Sequence, residues 1–356
     1  MQIIITSPSL NINQNVSGIS SVTRFITDFN NNTEYIHFEL GKRDNDKRNV
    51  FWLLRIVNTY YKWVSLLVRN RKAMVHFNLA IDKFGLLRDS PLILFARLIG
   101  KRIVLHLHGG EFLLHKEAPK WMTILLNLIF SGKSPAIVLS AKEAEVLKTK
   151  YKCKKVFVLP NCVDLTEAKK FDRTINETDL PVLLFMGRIS LNKGLEYIFK
   201  ALKALKEEGY AFKFYMAGKG PEEKEYVQKF TELLGADFTY EGVVTGESKV
   251  RLLKTCNIFL LPSFFEGLPI ALLESMSFGL IPIATAVGSI KYLINNGDNG
   301  LIVQKRSSDD IASAIKKLSV NSHYMQALSI NAKQSILDEY DPDKYLDTLN
   351  SIYAYE

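Results

Sequence analysis

Cysteine is scarce in this chain, which contains only three in 356 residues. Three cysteines are too few for a disulfide framework, and their wide separation matches no zinc-binding pattern. A reducing compartment is the simplest setting for such a sequence. We therefore expect a cytoplasmic protein. The three cysteines are Cys153, Cys162 and Cys256.

Long apolar runs are also missing. The most apolar window, 50–68, is interrupted by Arg55, Asn58 and Lys62, whereas a membrane span needs about 20 largely apolar residues. The first five residues lack the basic region and the long apolar core of a secretory signal. We expect a protein that is soluble or that lies peripherally on the inner face of the cell membrane.

Positive charge is plentiful, but only in the first half of the chain. Residues 1–160 contain 24 Lys and Arg against 11 Asp and Glu, a balance of +13, whereas residues 161–356 have a balance of −4. This asymmetry indicates an anionic partner for the first half, either nucleic acid or a membrane surface. A nucleic-acid-binding protein is thus one alternative. This chain, however, lacks the interleaved aromatic and basic residues on which nucleic-acid-binding proteins stack bases, so we expect no nucleic-acid partner.

Short β-rich runs alternate with longer helical patterns over 2–159 and again over 182–354, which is typical of βαβ units and parallel sheets. The polar stretch 161–180 between the two series is interpreted as a linker. We therefore predict an α/β protein of two doubly wound, Rossmann-like domains, 1–160 and 161–340. A last helix in 341–356 would pack back toward the first domain. Such sheets bind ligands at the carboxyl ends of their strands, which favours a site in a cleft between the domains.

The segment GRISLNKG follows the predicted strand 182–186 directly. Gly187 permits a turn that a bulkier residue would resist. Arg188 and Lys193 then flank the start of a helix at a strand end, where a guanidinium fork and an ammonium group suit phosphate oxygens. A solvated turn with two surface cations is the alternative for this motif taken alone.

A second segment, EGLPIALLE, follows the predicted strand 258–261. Pro269 suits a first helical turn, so a helix is expected from about Leu268, with Glu266 just before it and Glu274 about two turns inside. Backbone N–H groups around Gly267 would form an anion site at the helix N-terminus. The two carboxylates accept hydrogen bonds only, which suits sugar hydroxyls.

Three weaker motifs also follow predicted strands. Gly218 and Gly220 in AGKGP resemble half of a dinucleotide fingerprint, but the third glycine is missing, which disfavours a Rossmann dehydrogenase. His106 and His108 share one face of a strand, and we favour a site role for His108 and a core position for His106. A metal site would need a third ligand, which has no recognisable spacing here. Gly18 opens a helix after the first strand.

Taken in order, the motifs GR-x4-K-G, AG-x-GP, PS-x2-EGLP-x4-E and N-G-x2-G resemble those of retaining GT-B glycosyltransferases of family 4, the glycosyl transferases group 1. The similarity is strongest over 182–304 and weaker in the N-terminal loop and in HGGE. The resemblance implies the GT-B fold, a nucleotide-diphosphate sugar as donor, a saccharide or lipid-linked saccharide as acceptor, and net retention at the anomeric carbon. Bacterial surface polysaccharide biosynthesis is the expected process.

The resemblance also implies roles for single residues. Arg188 and Lys193 would bind the donor diphosphate and stabilise it as a leaving group, and Glu266 would bind hydroxyls of the donor sugar. Glu274 would bind the ribose, and His108 would approach the sugar near the reacting carbon. The donor site would further be lined by Gly187, Gly218, Gly220, Gly267, Leu268, Pro269 and Gly18.

Two positions depart from the family pattern, since Ser17 and Ser289 stand where many members have glycine. Neither change removes a charge from the expected site. Two cations and a helix N-terminus would neutralise the diphosphate, so no metal or other cofactor is expected. No carboxylate is an obvious nucleophile, and we expect front-face displacement assisted by the departing phosphate.

The basic first half would hold the acceptor. Residues 51–72 combine aromatic and aliphatic side chains with five cations, which suits a helix in the headgroup zone of an anionic membrane. The run Trp121 to Phe130 is a second candidate, and for both runs an amphipathic helix packed on the sheet is the alternative. A nucleotide-sugar 2-epimerase, which shares the GT-B architecture, is the alternative enzyme.

Overall fold

The structure of the protein is a computed structural model that describes residues 1–41, 43, 50–109, 111–114 and 116–355, without the side chains of 50–54 and 111. Gly110 of the HGGE motif therefore lies outside the described residues. The chain divides into two compact units. The first unit comprises Met1–Asn161 and Asp343–Glu356, and the second comprises Cys162–Pro342.

The first unit contains a six-stranded parallel sheet with the order β2-β1-β3-β4-β5-β6. Its strands are β1 (Gln2–Ser7), β2 (Glu34–Glu39), β3 (Met74–Leu79), β4 (Ile103–Leu107), β5 (Ala136–Val138) and β6 (Val156–Val158). Its described helices are α1 (Gly18–Phe29), α2 (Val50–Arg69), α3 (Lys83–Leu98), α4 (Glu111–Leu114), α5 (Lys120–Phe130), α6 (Ala141–Thr149) and, from the C-terminus, α14 (Pro342–Ala354).

The second unit contains another six-stranded parallel sheet, with the order β12-β11-β10-β7-β8-β9. Its strands are β7 (Val182–Met186), β8 (Lys213–Ala217), β9 (Phe238–Gly242), β10 (Ile258–Leu261), β11 (Ile281–Thr285) and β12 (Leu301–Val303). Its helices are α7 (Leu195–Glu207), α8 (Glu223–Leu234), α9 (Gly246–Thr255), α10 (Ile270–Ser277), α11 (Ile290–Leu293), α12 (Ser308–Ser319) and α13 (Ser322–Glu339).

Both sheets are doubly wound, which confirms the predicted α/β fold of two Rossmann-like sheets. In each unit the strand order reverses beside the first strand, between β1 and β3 in one and between β7 and β10 in the other. Loops leaving two such strands diverge to opposite faces of the sheet, so that a crevice opens at their carboxyl ends. The sheet order therefore places one candidate binding crevice in each unit.

The sheets are buried on both faces, and their central strands consist of nearly continuous apolar runs. All six residues of β3 are buried, as are the last four of β7. Such runs are typical of parallel strands covered by helices. Trp63 of α2 is fully buried against Phe77 of β3, so one face of this amphipathic helix packs on the sheet.

Helix α3 is longer than the sequence predicts. The pattern indicates a helix over 90–99, but α3 begins at Lys83, because Asp82 caps it by accepting hydrogen bonds from the N–H groups of Phe84 and Gly85 at 3.0 and 2.9 Å. Pro91 lies inside this helix, where a proline would normally mark its start or an interruption. The two four-residue helices α4 and α11 are too short to produce a detectable period.

The polar segment 161–180 is not a free linker, since one side chain ties it to the second unit. Arg173 donates hydrogen bonds to the carbonyl oxygens of Leu253, Lys254 and Phe278. These carbonyls lie at the ends of α9 and α10, where helices leave acceptors unsatisfied. Burial lowers the pKa of Arg173 to about 10, and its cost is offset by these three bonds.

Helix α14 belongs to the first unit although it follows the second in sequence. Its inner face buries Tyr345, Leu349 and Tyr353, and Arg102 donates a hydrogen bond to the carbonyl oxygen of Tyr353 at 2.9 Å.

Among the described residues, no helix is both long and apolar enough to span a bilayer.

Candidate functional site

The loop that follows β7 carries two of the cations that the sequence predicts for the site, Arg188 and Lys193. After Gly187, the residues Leu191–Lys193 form a single 3₁₀ turn, and Gly194 adopts a left-handed conformation with φ of 77° before α7 begins. A Cβ on Gly194 would lie 2.2 Å from the carbonyl oxygen of Pro262. Only glycine therefore fits here, and this close approach brings the loop after β7 against the end of β10.

The same approach joins Lys193 to Glu266. The ammonium Nζ of Lys193 lies 2.6 Å from Oε1 of Glu266, and the two side chains are 22% and 9% exposed. The backbone N–H of Phe264 donates to the carbonyl oxygen of Asn192 at 2.9 Å, which fixes the two loops together. Two residues that the sequence places at separate strand ends thus form one ion pair in the crevice between β7 and β10.

Three further glycines hold the neighbouring loops at backbone contact. A Cβ on Gly218 would lie 1.8 Å from the carbonyl oxygen of Gly187, and a Cβ on Gly220 would lie 1.9 Å from that of Ile189. A Cβ on Gly288 would lie 1.9 Å from the carbonyl oxygen of Glu266. The glycines of AGKGP therefore face the loop after β7, and protein packing alone already requires them.

Gly187 differs from these glycines, because a Cβ built on it would meet no heavy atom within 4 Å. Packing therefore does not require glycine at this position. The neighbouring Arg188 is exposed. The loop after β7 thus has open space beside Gly187 and an exposed side chain at Arg188.

Helix α10 begins later than the sequence predicts. Its first residue is Ile270, and Pro269 is an extended N-cap residue with ψ of 124°. A start at Leu268 is wrong because a residue before proline is driven out of the helical region. Glu274 consequently lies one turn inside the helix instead of two. The open helix tip is formed by the first N–H groups, those of Ile270 and Ala271, next to the turn at Gly267.

Glu274 has a partner that the sequence does not reveal. Its Oε1 lies 2.5 Å from Nζ of Lys249 on α9, and the two side chains are partly buried. The second unit thus brings Lys193, Glu266 and the tip of α10 together, with Lys249 and Glu274 as a second ion pair one turn along α10.

His108 belongs to the first unit, at the carboxyl end of β4. Its Nε2 lies 2.6 Å from Oδ1 of Asn78, which lies on the neighbouring β3. Burial lowers the pKa of His108 to about 4, and the side chain of Asn161 partly opposes this shift. The imidazole is therefore neutral at pH 7. His106 is fully buried, as expected for a core histidine.

Gly18 is the first residue of α1, and a Cβ built on it would meet no heavy atom within 4 Å. Beside it, a cavity of about 510 Å³ opens at the carboxyl ends of β1, β2 and β3. This cavity is the crevice that the strand order predicts for the first unit. Its lining combines aromatic with charged side chains, among them Phe38, Tyr60, Phe84, Arg55, Lys62 and Arg88.

Among the described residues, no group of three or more His, Cys, Asp or Glu side chains is placed to hold a metal ion. The sequence also offers no signal for Lys249 or Asn78 as parts of a site, whereas Gly288 stands beside the family position that Ser289 occupies. The partners of these residues come from loops and strands more than 20 positions away. Such contacts follow from the strand order and cannot be found from motifs.

Residues 166–335 match the family described as glycosyl transferases group 1. The chain is 25% identical over 331 residues to the UDP-Gal:alpha-D-GlcNAc-diphosphoundecaprenol alpha-1,3-galactosyltransferase of Escherichia coli, covering 85% of this chain and 80% of that protein. It is 27% identical over 190 residues to an uncharacterized glycosyltransferase of Methanocaldococcus jannaschii, covering 52% of this chain. The chain spans about half the length of several such relatives, 48% in that case.

Solved structures share the fold of the whole chain. Sucrose-phosphate synthase from Thermosynechococcus elongatus superposes with a TM-score of 0.79 at 16% identity, covering 99% of this chain and 98% of that one. Anabaena HepE in complex with UDP and glucose superposes with a TM-score of 0.74 at 15% identity, covering 99% of both chains. The architecture is thus GT-B, and residues 166–335 are similar to the group 1 glycosyl transferases.

Proposed function

We propose that the protein is a glycosyltransferase that moves a sugar from a nucleotide-diphosphate sugar to a saccharide or lipid-linked saccharide, with retention at the anomeric carbon. The observation that carries the proposal is the Lys193–Glu266 ion pair beside the tip of α10, at the switch point of the second sheet. A diphosphate and a sugar need opposite kinds of partner, and this crevice holds both within bonding distance of each other.

The pair offers a mechanism in which charges are redistributed on binding. A bound diphosphate competes with the carboxylate of Glu266 for Lys193. Because the diphosphate carries more negative charge than one carboxylate, the ammonium group of Lys193 exchanges Glu266 for a phosphate oxygen. Glu266 is then released to accept hydrogen bonds from sugar hydroxyls. As the bond between sugar and diphosphate breaks, Arg188, Lys193 and the N–H groups of α10 stabilise the negative charge that develops on the leaving oxygens.

The state of the nearby carboxylate bears on how retention would be achieved. Glu266 is almost fully buried and bonded to a cation, which suits a positioning group better than a nucleophile. We therefore propose front-face displacement, in which the departing phosphate takes the proton of the acceptor hydroxyl. The protein would act without a metal or another cofactor, since preorganised cations supply the stabilisation.

The cavity of the first unit is the acceptor site that we propose. It lies at the carboxyl ends of β1, β2 and β3. Four cations line it against the carboxylates of Glu39 and Asp82, and this surplus of positive charge suits an acceptor that carries a phosphate group. Two relatives, the Escherichia coli enzyme and a Campylobacter jejuni N-acetylgalactosaminyltransferase, are named for acceptors that are linked to undecaprenol through a diphosphate. We propose the same class of lipid-linked acceptor here, within bacterial surface polysaccharide biosynthesis.

A peripheral contact with an anionic membrane on the cytoplasmic side fits such an acceptor. The outer face of α2 exposes Val57, Tyr61, Val64 and Val68 in a stripe with helical spacing. Exposed cations flank this stripe, and on α5 Trp121, Ile124 and Leu128 repeat the pattern. Apolar residues ringed by Lys and Arg are the composition of interfacial helices.

Sugar transfer is the first experiment. Purified protein is incubated with UDP-, GDP- and ADP-sugars and with lipid-linked acceptors, and the configuration of the new linkage is determined by NMR. Lys193→Ala and Glu266→Gln should each lower transfer by about 100-fold or more. Lys200→Ala is the matched control, because Lys200 pairs with Glu196 on the exposed face of α7, outside the proposed site. Near-normal turnover in both site variants would refute the proposed site.

Two further measurements separate the finer parts of the proposal. Incubation of a donor without acceptor distinguishes an epimerase, which would convert the donor alone. Sedimentation with anionic and neutral vesicles tests the membrane contact, with Val57→Ser and Tyr61→Ser as variants of exposed residues. Absence of binding to both kinds of vesicle would refute the membrane contact and leave the transfer proposal intact.

A further inference from the structure

A buried ion pair forms part of the wall of the cavity in the first unit. Arg88 of α3 lines this cavity, and the next residue, Asp89, is fully buried. Nε and Nη2 of Arg88 donate hydrogen bonds to Oδ1 and Oδ2 of Asp89 at 2.6 and 3.0 Å. The side chain of Arg88 is 23% exposed, whereas that of Asp89 is 0% exposed. The pair therefore has one end in the protein interior and the other at the cavity wall.

The guanidinium group of Arg88 keeps donors that Asp89 does not use. A guanidinium has five N–H donors, and Asp89 accepts one from Nε and one from Nη2. The remaining three, on Nη1 and Nη2, form the second edge of the group, which suits two oxygens of a phosphate. Since the carboxylate of Asp89 is buried, this second edge is the part of Arg88 that can reach a ligand in the cavity.

The backbone of α3 around Arg88 is held by two side chains of α2. The hydroxyl of Tyr60 donates to the carbonyl oxygen of Arg88 at 2.9 Å, and Nε1 of the fully buried Trp63 donates to that of Leu92 at 3.1 Å. These bonds join α2 to α3 on both sides of Pro91. Backbone and side chain of Arg88 are thus fixed before a ligand binds, which lowers the entropy lost on binding.

The two carboxylates that line the cavity each have a partner in the protein. Asp82 caps α3, and Glu39 pairs with Arg43 through bonds of 2.8 and 3.1 Å. Two further cations line the cavity from α2. When the carboxylate of Asp89 is included, four cations face three carboxylates, and a phosphate group would compensate the excess positive charge.

Apolar surface adjoins the guanidinium group at the rim of the cavity. Phe84 lies four residues before Arg88 on α3, so both side chains lie on the same face of the helix. Phe84 also lines the cavity, and it is 53% exposed. An exposed phenyl ring next to a cation suits a ligand whose phosphate group is attached to an apolar chain.

We propose that Arg88 binds a phosphate group of a lipid-linked acceptor through its second edge, and that Asp89 is the positioning residue that directs this edge toward the cavity. The inference rests on the proposed function, because it takes the cavity as the acceptor site. Binding of a lipid diphosphate can nevertheless be measured without a donor and without turnover.

The first test compares three probes on the full chain by isothermal titration calorimetry, namely farnesyl diphosphate, farnesol and inorganic pyrophosphate. We expect farnesyl diphosphate to bind most tightly, because it alone offers both a phosphate group and an apolar chain. Pyrophosphate that binds as tightly would identify a site for free phosphate and overturn the lipid-linked ligand. Farnesol that binds as tightly would overturn the phosphate contact.

The second test removes the ion pair as a whole. Arg88→Met combined with Asp89→Leu replaces both charges by apolar side chains, which folded proteins often tolerate when both partners are exchanged. We expect this double variant to bind farnesyl diphosphate about tenfold more weakly or worse. Lys148→Met, which removes an exposed cation of α6, is the matched control. If the double variant does not fold, Arg88→Lys replaces the fork by one ammonium group; wild-type affinity in either folded variant would overturn the role of Arg88.

The positioning role of Asp89 is tested by the sign of a change. If Asp89 acted through its charge alone, Asp89→Asn would make the cavity more positive and strengthen phosphate binding. Positioning predicts the opposite, because an amide offers the guanidinium group only one acceptor atom and lets it turn. We expect Asp89→Asn, with its fold checked by circular dichroism, to bind farnesyl diphosphate about threefold to tenfold more weakly. Equal or tighter binding would overturn the positioning role.

Failure of this inference and failure of the proposed function give different results. A protein that binds farnesyl diphosphate through Arg88 but transfers no sugar would refute the transferase proposal and keep the phosphate site. A wild type that transfers sugar, with a double variant that binds farnesyl diphosphate equally well, would overturn the inference and keep the transferase proposal.

Discussion

Three buried histidines, His76, His106 and His108, make the first unit sensitive to mild acid. Burial lowers the pKa of His76 to about 3 and that of His108 to about 4, and it holds the pKa of His106 well below its usual range. In the unfolded chain all three return to about 6.5. Below that pH the unfolded state binds protons that the folded state refuses, so stability falls as the pH falls.

The size of the effect follows from the unfolded state alone. Burial holds all three folded pKa values well below 6.5, so between pH 7 and pH 5.5 the folded rings stay neutral while the unfolded rings become about 90% charged. Each histidine then costs about 1.2 kcal/mol over this interval, and the three together cost about 4 kcal/mol. That is a large part of the 5–15 kcal/mol by which domains are usually stable.

Tryptophan fluorescence isolates the unit concerned, because all three tryptophans, Trp52, Trp63 and Trp121, belong to the first unit. Urea unfolding followed by fluorescence at pH 7 and at pH 5.5 gives the loss for the wild type. His76→Gln should reduce that loss by about 1.2 kcal/mol, whereas His323→Gln, which changes an exposed histidine of α13, should not.

The comparison between variants is needed because two buried carboxyl groups act in the opposite direction. Burial raises the pKa of Asp89 and of Glu143, so in the folded state they take up protons earlier and offset part of the loss in the wild type. This contribution cancels between wild type and His76→Gln. If both lose the same stability between pH 7 and pH 5.5, then His76 is not held neutral and the reasoning fails.

Three predictions concern the second unit. Lys193→Ala should lower the free energy of unfolding by about 1–3 kcal/mol in urea unfolding followed by circular dichroism, because it leaves the buried carboxylate of Glu266 without its cation. Adding Glu266→Ala should restore part of that free energy. If the losses of the two single variants add up in the double variant, the coupling is contradicted. Gly288→Ala should destabilise the unit and abolish nucleotide binding, whereas Gly187→Ala should keep wild-type stability and weaken only nucleotide binding. If the two variants lower the melting temperature equally, the packing argument is contradicted. Arg173→Ala should cost about 2–4 kcal/mol, since three helix-end carbonyl groups lose their donor, and an unchanged denaturation midpoint would contradict it.

The sequence predicts the strands well because most of them are short apolar runs between turn signals. Helices are predicted less well where a local signal conflicts with tertiary context. Pro91 suggests a helix start, yet α3 begins eight residues earlier at the Asp82 cap. At α10 the helix begins later than predicted, because Pro269 drives Leu268, the residue before it, out of the helical region. Both errors concern boundaries and leave the fold class unchanged.

The site is predictable to the extent that motifs mark strand ends. Lys193 and Glu266 are each recognisable from their segments, and the order of the strands brings them together. What the motifs cannot supply is the state of these groups without ligand. Lys193 and Glu266 are 73 positions apart in the sequence, and Lys249 and Glu274 are 25 positions apart. The sheet order and the loop contacts therefore decide which cation pairs with which carboxylate.

The Lys193–Glu266 pair shows that the charged groups of this site are not free in the absence of ligand, because each already neutralises the other. A buried carboxylate such as Glu266 would be unstable alone. Under the proposed function, the cation that would bind the diphosphate therefore first stabilises the group that would bind the sugar. A ligand that supplies only a sugar cannot replace Lys193 as the partner of Glu266, and a ligand that supplies only phosphate leaves Glu266 uncompensated. Full exchange of partners requires both halves of a nucleotide sugar at once, which makes the pair a source of selectivity for the intact donor.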